Sequence, residues 1–198
     1  TKTNSFTSLL SGLKDNTTYY LRAYATNSSG TAYGNELSFT SLAFNTYIVT
    51  DIEGNTYNAL TIGSQDWFTE NLKTSHYSNG DLIPDGTEIG DISSETNPKY
   101  CFTYDNNSDN ITTYGKLYTW YTVTDSRNIC PDGWHVPTDT DWITLTKYLG
   151  GESIAGGKLK EIGTNHWKSP NEGASNESGF SAIPGGYRYQ DGTFQTKG

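Results

Sequence analysis

The side chains able to do chemistry in this chain are few and scattered. Its three histidines, His76, His135 and His166, stand alone, and none has a second histidine at helical spacing to form a zinc-type pair. Each is read as structural. Cys101 and Cys130 are 29 positions apart, with no third soft ligand beside them. Asp105, Asn107 and Asp109 offer hard oxygen ligands at alternate positions, which is how a calcium loop opens. Yet the glycine such a loop needs sixth is Asn110, and the bidentate glutamate it needs twelfth is Lys116. Those departures favour a plain polar hairpin loop, with calcium as the alternative and no other cofactor implied. Further on, Asn171, Glu172, Asn176 and Glu177 are suited to capping loops or to holding a cation, and capping is the simpler role.

Composition narrows the partners. The chain has 198 residues, with 13 Lys+Arg against 22 Asp+Glu and a net charge of −9. A nucleic-acid groove or an anionic membrane surface needs a basic face, so neither fits. Aromatic residues make up 14% of the chain, far from the composition of a disordered segment, although mean hydropathy is negative. No apolar run is long enough to span a bilayer, so no membrane insertion is expected. There is neither a methionine nor a signal peptide, which reads as an internal piece of a longer protein.

The elements that must position these residues begin with β-strands. Leu13 to Thr40 reads as strands joined by the turn Asn27–Gly30, with Tyr19, Leu21, Ala23 and Ala25 on one face. Three strands with one buried face are too few for a stable sandwich. Tyr47–Asp51, the turn Glu53–Gly54–Asn55 and Thr56–Ile62 form a hairpin, and Gln65–Leu72 follows as strand or short helix. Residues 73–98, rich in Gly, Pro, Asp, Ser and Asn, read as a long surface excursion. Tyr100–Tyr104 is an aromatic strand candidate, and Tyr114–Thr122 is strand or helix. The clearest helix starts at Thr138, an N-cap preceded by Pro137 and followed three residues later by Asp141. Trp142, Leu145, Tyr148 and Leu149 form its apolar stripe, and Gly150–Gly151 end it. A shorter helix is expected over 155–162.

Two resemblances organise this pattern. "GLKDNTTYYLRAYATNSSGTAYGNELSFT" resembles the last strands of a fibronectin type III-like module, covering residues 1–42. It implies that Tyr19 is the corner tyrosine bonding back to the preceding loop. The runs "VTDIEGNTYNALTIGSQDWFTENLKTSHYSNGDLIP", "YGKLYTWYTV", "CPDGWHVPTDTDWITLTKYLGG", "AGGKLKE", "HWKSPNEGASNESGFSAIPGGYR" and "DGTF" resemble, in order, the major paralogous domain named after Fibrobacter succinogenes. That domain occurs in Bacteroidetes-type surface proteins. The family usually has methionine where this chain has Phe68, and its pattern continues beyond Gly198. The domain is therefore read as residues 43–198, truncated at its C-terminus. Finally, "GWHVPTDTDW" is similar to a run of formylglycine-generating enzymes and related C-type-lectin-like proteins.

These resemblances imply an α+β, C-type-lectin-like domain: a small twisted antiparallel sheet, one or two helices and long loops, after a partial β-sandwich. Trp134 and Trp142 would anchor the helix to the sheet. Formylglycine-generating enzymes hold copper with a close cysteine pair, and related iron enzymes cluster histidines. Neither feature occurs here, so a non-catalytic module is expected. An exported protein sits in an oxidising compartment, which implies a Cys101–Cys130 disulfide, with two buried free thiols as the alternative. Lectin-like domains bind through loops on one side. Tyr187, Arg188, Tyr189 and Gln190 are then the exposed ligand-binding candidates, since aromatic faces stack on sugar rings and arginine hydrogen-bonds polar ligands. The alternative there is a plain hairpin around Asp191–Gly192. The expected function is an extracellular or cell-surface adhesion module binding a glycan or a protein receptor. A phage virion receptor-binding protein and a structural spacer are the competing readings.

Overall fold

The computed structural model describes residues 7, 8, 10, 13, 14, 16–41 and 43–196. The chain forms two compact units, Thr1–Asn45 and Thr46–Gly198, built as α+β with small antiparallel sheets, helices and long loops.

The first unit is a broken hairpin. Strand β1 (Thr18–Leu21) pairs antiparallel with β4 (Leu37–Thr40), and β2 (Tyr24–Asn27) pairs with β3 (Gly30–Tyr33). The two long strands of the sequence pattern are thus each split in two. At the tip, the Ser29 N–H donates to Asn27 Oδ1 at 2.8 Å, an Asx turn that frees Gly30 to take φ +132°. Tyr19 stacks on Phe39, directly opposite it in the β1–β4 register and likewise half-buried, at 5.9 Å between centroids. The Tyr19 hydroxyl accepts from the Lys14 backbone N–H at 2.7 Å, a bond back to the preceding loop. Leu21 and Ala25 of the expected apolar face remain exposed.

The second unit is organised by a three-stranded meander of β5 (Thr46–Thr50), β6 (Thr56–Ile62) and β7 (Gln65–Phe68). Asp51 builds its first turn. Asp51 Oδ1 accepts from the backbone N–H groups of Glu53 and Asn55, and Oδ2 from Asn55 Nδ2 and the Tyr57 hydroxyl, at 2.7–3.0 Å. The second turn uses Gly63 at φ +65°, where a Cβ would meet the Tyr148 ring at 2.8 Å. Strand β6 carries buried residues on both faces, although Thr56 and Asn58 near its start stay exposed.

The strand period of two sends Leu60 and Ile62 one way and Tyr57 and Ala59 the other. Beyond β7 the chain adds β8 (Cys101–Phe102), a 3-10 turn (Tyr104–Asn106), α1 (Asn110–Tyr114), β9 (Leu117–Tyr118) and α2 (Trp120–Val123). It continues with α3 (Asp139–Tyr148), α4 (Glu152–Leu159), β10 (Tyr187–Arg188) and β11 (Phe194–Gln195). On one face of β6, Leu60, Ile62 and Trp67 pack with Leu145, Leu149 and Ala155 of α3 and α4. On the other face, Phe68 stacks flat on Tyr57 at 5.0 Å and lies 4.2 Å from the Trp134 ring.

Helix α3 begins where the sequence signals it. The Thr138 N–H donates to Asp141 Oδ2 at 2.8 Å, and the Asp141 N–H donates back to Thr138 Oγ1, which closes a capping box. Of the expected stripe, Leu145 and Leu149 are buried, whereas Trp142 covers Trp67 with one face at 4.7 Å and keeps the other in solvent. Trp134 is half-buried against the second cluster, formed by Tyr77, Ile83, Cys101, Ile129 and Cys130.

Residues 73–98 are not simply a surface excursion. Thr74, Tyr77 and Ile83 are fully buried, so the segment is pinned at three points into the core. Arg127 lies over the Tyr77 ring at 3.8 Å and bridges Asp81 and Asp125, and Lys99 also pairs with Asp125 at 2.6 Å. Together these hydrogen bonds hold the Asp125 carboxyl well below the usual carboxylate range.

Candidate functional site

Two separated stretches of backbone bring an aromatic cleft together. The β8–β9 pair sets Cys101 opposite Tyr118 and Phe102 opposite Leu117. Directly after it, Thr119 donates its hydroxyl to Pro98 O at 2.7 Å and its N–H to Tyr100 O at 3.1 Å, which fixes where α2 starts. Trp120, first residue of that helix, is left 71% exposed, and Tyr121 stands beside it half-exposed. The β10–β11 hairpin supplies the other side. Its turn is closed by Asp191 Oδ1, which accepts from both the N–H and the hydroxyl of Thr193.

Gly186, at φ +66°, lets this hairpin approach, because a Cβ there would land on the Tyr104 ring. Strand alternation then divides the hairpin. Tyr187 and Tyr189 face solvent together, with hydroxyls 2.8 Å apart and rings edge to face at 4.9 Å. Arg188 points the other way. Its Nη2 donates to Ile89 O and Gly90 O at 2.6 Å each, its Nη1 donates to Tyr189 O at 3.0 Å, and its guanidinium lies over the Phe102 ring at 4.2 Å. Burial pulls the Arg188 pKa below the usual arginine value, against the pull of Asp191 and Asp91. One more bond, from the Ile92 N–H to Gln190 O at 2.8 Å, ties loop and hairpin together.

The result is a cleft of about 490 Å³ lined by Ile92, Ser93, Glu95, Pro98, Phe102, Leu117–Tyr121 and Tyr187–Gln190. That size falls within the range of small-ligand sites. Its walls carry six aromatic side chains, with Glu95 the one carboxylate of the lining, and that carboxylate accepts from the Tyr100 hydroxyl at 2.9 Å.

The structure brings all four expected ligand-binding residues, Tyr187, Arg188, Tyr189 and Gln190, to this cleft, on a hairpin around Asp191–Gly192. It changes the part played by Arg188, whose donors hold backbone carbonyls of the 85–98 loop. Sequence reasoning missed Trp120, Tyr121 and Glu95. The aromatic density of "YTWYTV" was the available signal, masked because the stretch read equally as strand or helix.

The remaining candidates lie elsewhere. Cys101 and Cys130 are two free, buried thiols rather than a disulfide. Each sulfur is held in apolar packing, Cys101 Sγ additionally 3.9 Å from Ile83 O and 3.7 Å from Lys116 Nζ, and burial pushes the Cys130 thiol up to about 11. Asp105, Asn107 and Asp109 fall on the 3-10 turn and the start of α1 instead of a hairpin loop. There Asn107 Oδ1 accepts from the Asp109 N–H at 3.0 Å. Among the described residues no group of three or more His, Cys, Asp or Glu side chains is arranged to hold a metal ion, and no helix is long and apolar enough to cross a membrane.

Each histidine meets one acid: His76 with Glu53, His135 with Asp141 and His166 with Glu161, at 2.8–3.0 Å. Asn171 donates to Glu161 O and Gly163 O, and Asn176 bonds both the backbone and the hydroxyl of Ser181, which makes them loop caps. Glu172 accepts from Lys160 Nζ through its backbone oxygen, and Glu177 pairs with Lys158.

The model of the Fibrobacter succinogenes major domain matches residues 60–198, which span the α3 helix and every wall of the cleft. The chain belongs to that family. No curated protein and no solved structure matches it. In this member, Phe68 lies between Tyr57, on which it stacks flat, and the tilted Trp134 ring, contacts that a flexible methionine makes less rigidly.

Proposed function

We propose that this chain is a non-catalytic module of an exported surface protein, and that it binds a carbohydrate in the aromatic cleft for adhesion. The observation that carries the reading is the exposure of Trp120, Tyr121, Tyr187 and Tyr189 around one concave site. Exposed aromatic faces that the protein leaves uncovered are what a sugar ring's C–H face stacks on. The single carboxylate of the lining supports the non-catalytic side, because glycoside hydrolysis ordinarily needs a pair of carboxyl groups across the bond. Large loops on a small α+β scaffold support a C-type-lectin-like fold for residues 46–198. The Tyr19–Lys14 bond, in a unit whose described elements are all strands, supports a fibronectin type III-like partner module ahead of it.

The test is a glycan array followed by titration calorimetry with the wild-type chain and Trp120→Ala, with calcium and then with EDTA. Saturable binding weakened at least about tenfold in the variant is the expected result, the loss of one central aromatic contact. Unchanged binding in EDTA is expected, since Asp105, Asn107 and Asp109 are not among the residues lining the cleft. A folded protein that binds no glycan would move the cleft to a protein receptor.

A further inference from the structure

Resting on that reading, we infer that the cleft selects uncharged sugar chains and rejects acidic ones. The argument begins with charge. Of the side chains lining the cleft, Glu95 and Arg188 are the two charged at neutral pH. An acidic sugar, a uronate or a sialic acid, is recognised by a cation that presents a free fork or point charge. Arg188 has no such fork to offer. Three bonds to the carbonyls of Ile89, Gly90 and Tyr189 hold the tip of its guanidinium, and its flat face is on Phe102. Its Nε is buried and without a partner, so a two-pronged pair with a ligand carboxylate would have to displace the Ile89 and Gly90 carbonyls that hold Nη2 at the cleft wall.

The neighbouring cations are committed as well. Lys99, beside the lining residue Pro98, pairs with Asp125, and Lys116, beside Leu117, has its Nζ 3.7 Å from the Cys101 sulfur. Glu95 lines the site, and Asp91 and Asp191, outside the lining, flank Arg188 closely enough to act on its charge. Bringing a ligand carboxylate against Glu95 with no cation to answer it costs affinity through like-charge repulsion and unrepaid desolvation.

Uncharged polar groups remain for hydroxyls. The side chains of Trp120 and Gln190 make no hydrogen bond to other described residues, so the indole N–H and the amide are open to a ligand. The Tyr187 and Tyr189 hydroxyls satisfy each other with one proton, which leaves the second to donate outward. Aromatic faces, an amide, an indole N–H and a phenol, with no available cation, match a neutral hexopyranose chain.

The test is titration of the intact 198-residue chain with cellohexaose, mannohexaose and hexagalacturonate, each repeated with Trp120→Ala and at about 50 mM and 500 mM salt. At least one neutral hexamer binding about tenfold or more tighter than hexagalacturonate, with affinity insensitive to salt and lost in the variant, is the expected outcome. Hexagalacturonate bound as tightly as the neutral hexamers or tighter, and still lost in Trp120→Ala, overturns the selectivity while leaving the carbohydrate site standing. A chitosan oligomer, added as a cationic control, overturns it equally if it alone binds. Failure of every sugar to bind the folded chain overturns the carbohydrate reading itself.

Discussion

Two groups of aromatic rings in the second unit, each with one tryptophan, have different fates. Tyr57, Phe68 and Trp134 pack ring on ring at one face of β6, and Tyr57 is wholly buried with its hydroxyl bonded to Asp51 and to the Lys73 N–H. Trp120, Tyr121, Tyr187 and Tyr189 stand around a cleft and are all exposed, Trp120 most of all. The difference is in what covers them. The first group is closed by a strand, a loop and one another, whereas the second is framed by backbone that stops short of covering it. Aromatic content therefore tells scaffold from site only when exposure and hydrogen bonding are added.

The largest expected effect breaks the closed group. Tyr57→Ala removes a fully buried ring and leaves Asp51 without its hydroxyl partner, so a loss of about 3–5 kcal/mol is expected in urea unfolding of the second unit. A loss under about 1 kcal/mol would mean that the stack is not the scaffold. A smaller effect touches the helix that holds Trp142 on Trp67. Thr138→Ala should cost about 1 kcal/mol by opening the capping box.

The same box has a pH signature. Hydrogen bonds from Thr138, with His135 adding to them, lower the Asp141 pKa from 3.8 to about 2. A lowered folded-state pKa stabilises above the unfolded value and is lost as pH falls, so this contribution should disappear between about pH 4 and pH 2. Asp141→Asn should flatten that part of a melting-temperature profile against pH. The smallest expected effect sharpens the comparison from the open side. Trp120→Ala should change stability by less than about 0.5 kcal/mol, because its ring contributes little to the fold, although binding collapses.

The first hairpin and helix α3 were largely legible in the sequence, whereas Trp134, expected to anchor that helix with Trp142, packs on Phe68 at the opposite face of β6. The Tyr47–Ile62 hairpin follows from period-two alternation and a Gly-Asn turn, and α3 from Thr138, Asp141 and the spacing of Leu145 and Leu149. These signals are local. The cleft is not local, since Arg188 reaches Ile89 and Gly90 across 99 and 98 positions of chain. No periodicity in residues 73–98 announces that Thr74, Tyr77 and Ile83 are buried, because three isolated anchors in a polar segment have no repeat. Tyr187–Gln190 were reached through a resemblance, and Trp120 was hidden by a stretch that suits strand and helix alike.

The pinning of Ile89 and Gly90 by Arg188 separates two jobs within one short strand. Residue 188 belongs to the frame, and its neighbours 187 and 189 belong to the surface. Replacing Tyr187, Tyr189, Gln190, Trp120 and Tyr121 in combination would alter what the cleft recognises while the guanidinium clasp keeps both rims in place. The arrangement is that of a lock whose tumblers can be recut without changing its case, a basis for selecting new specificities from a library confined to those five positions.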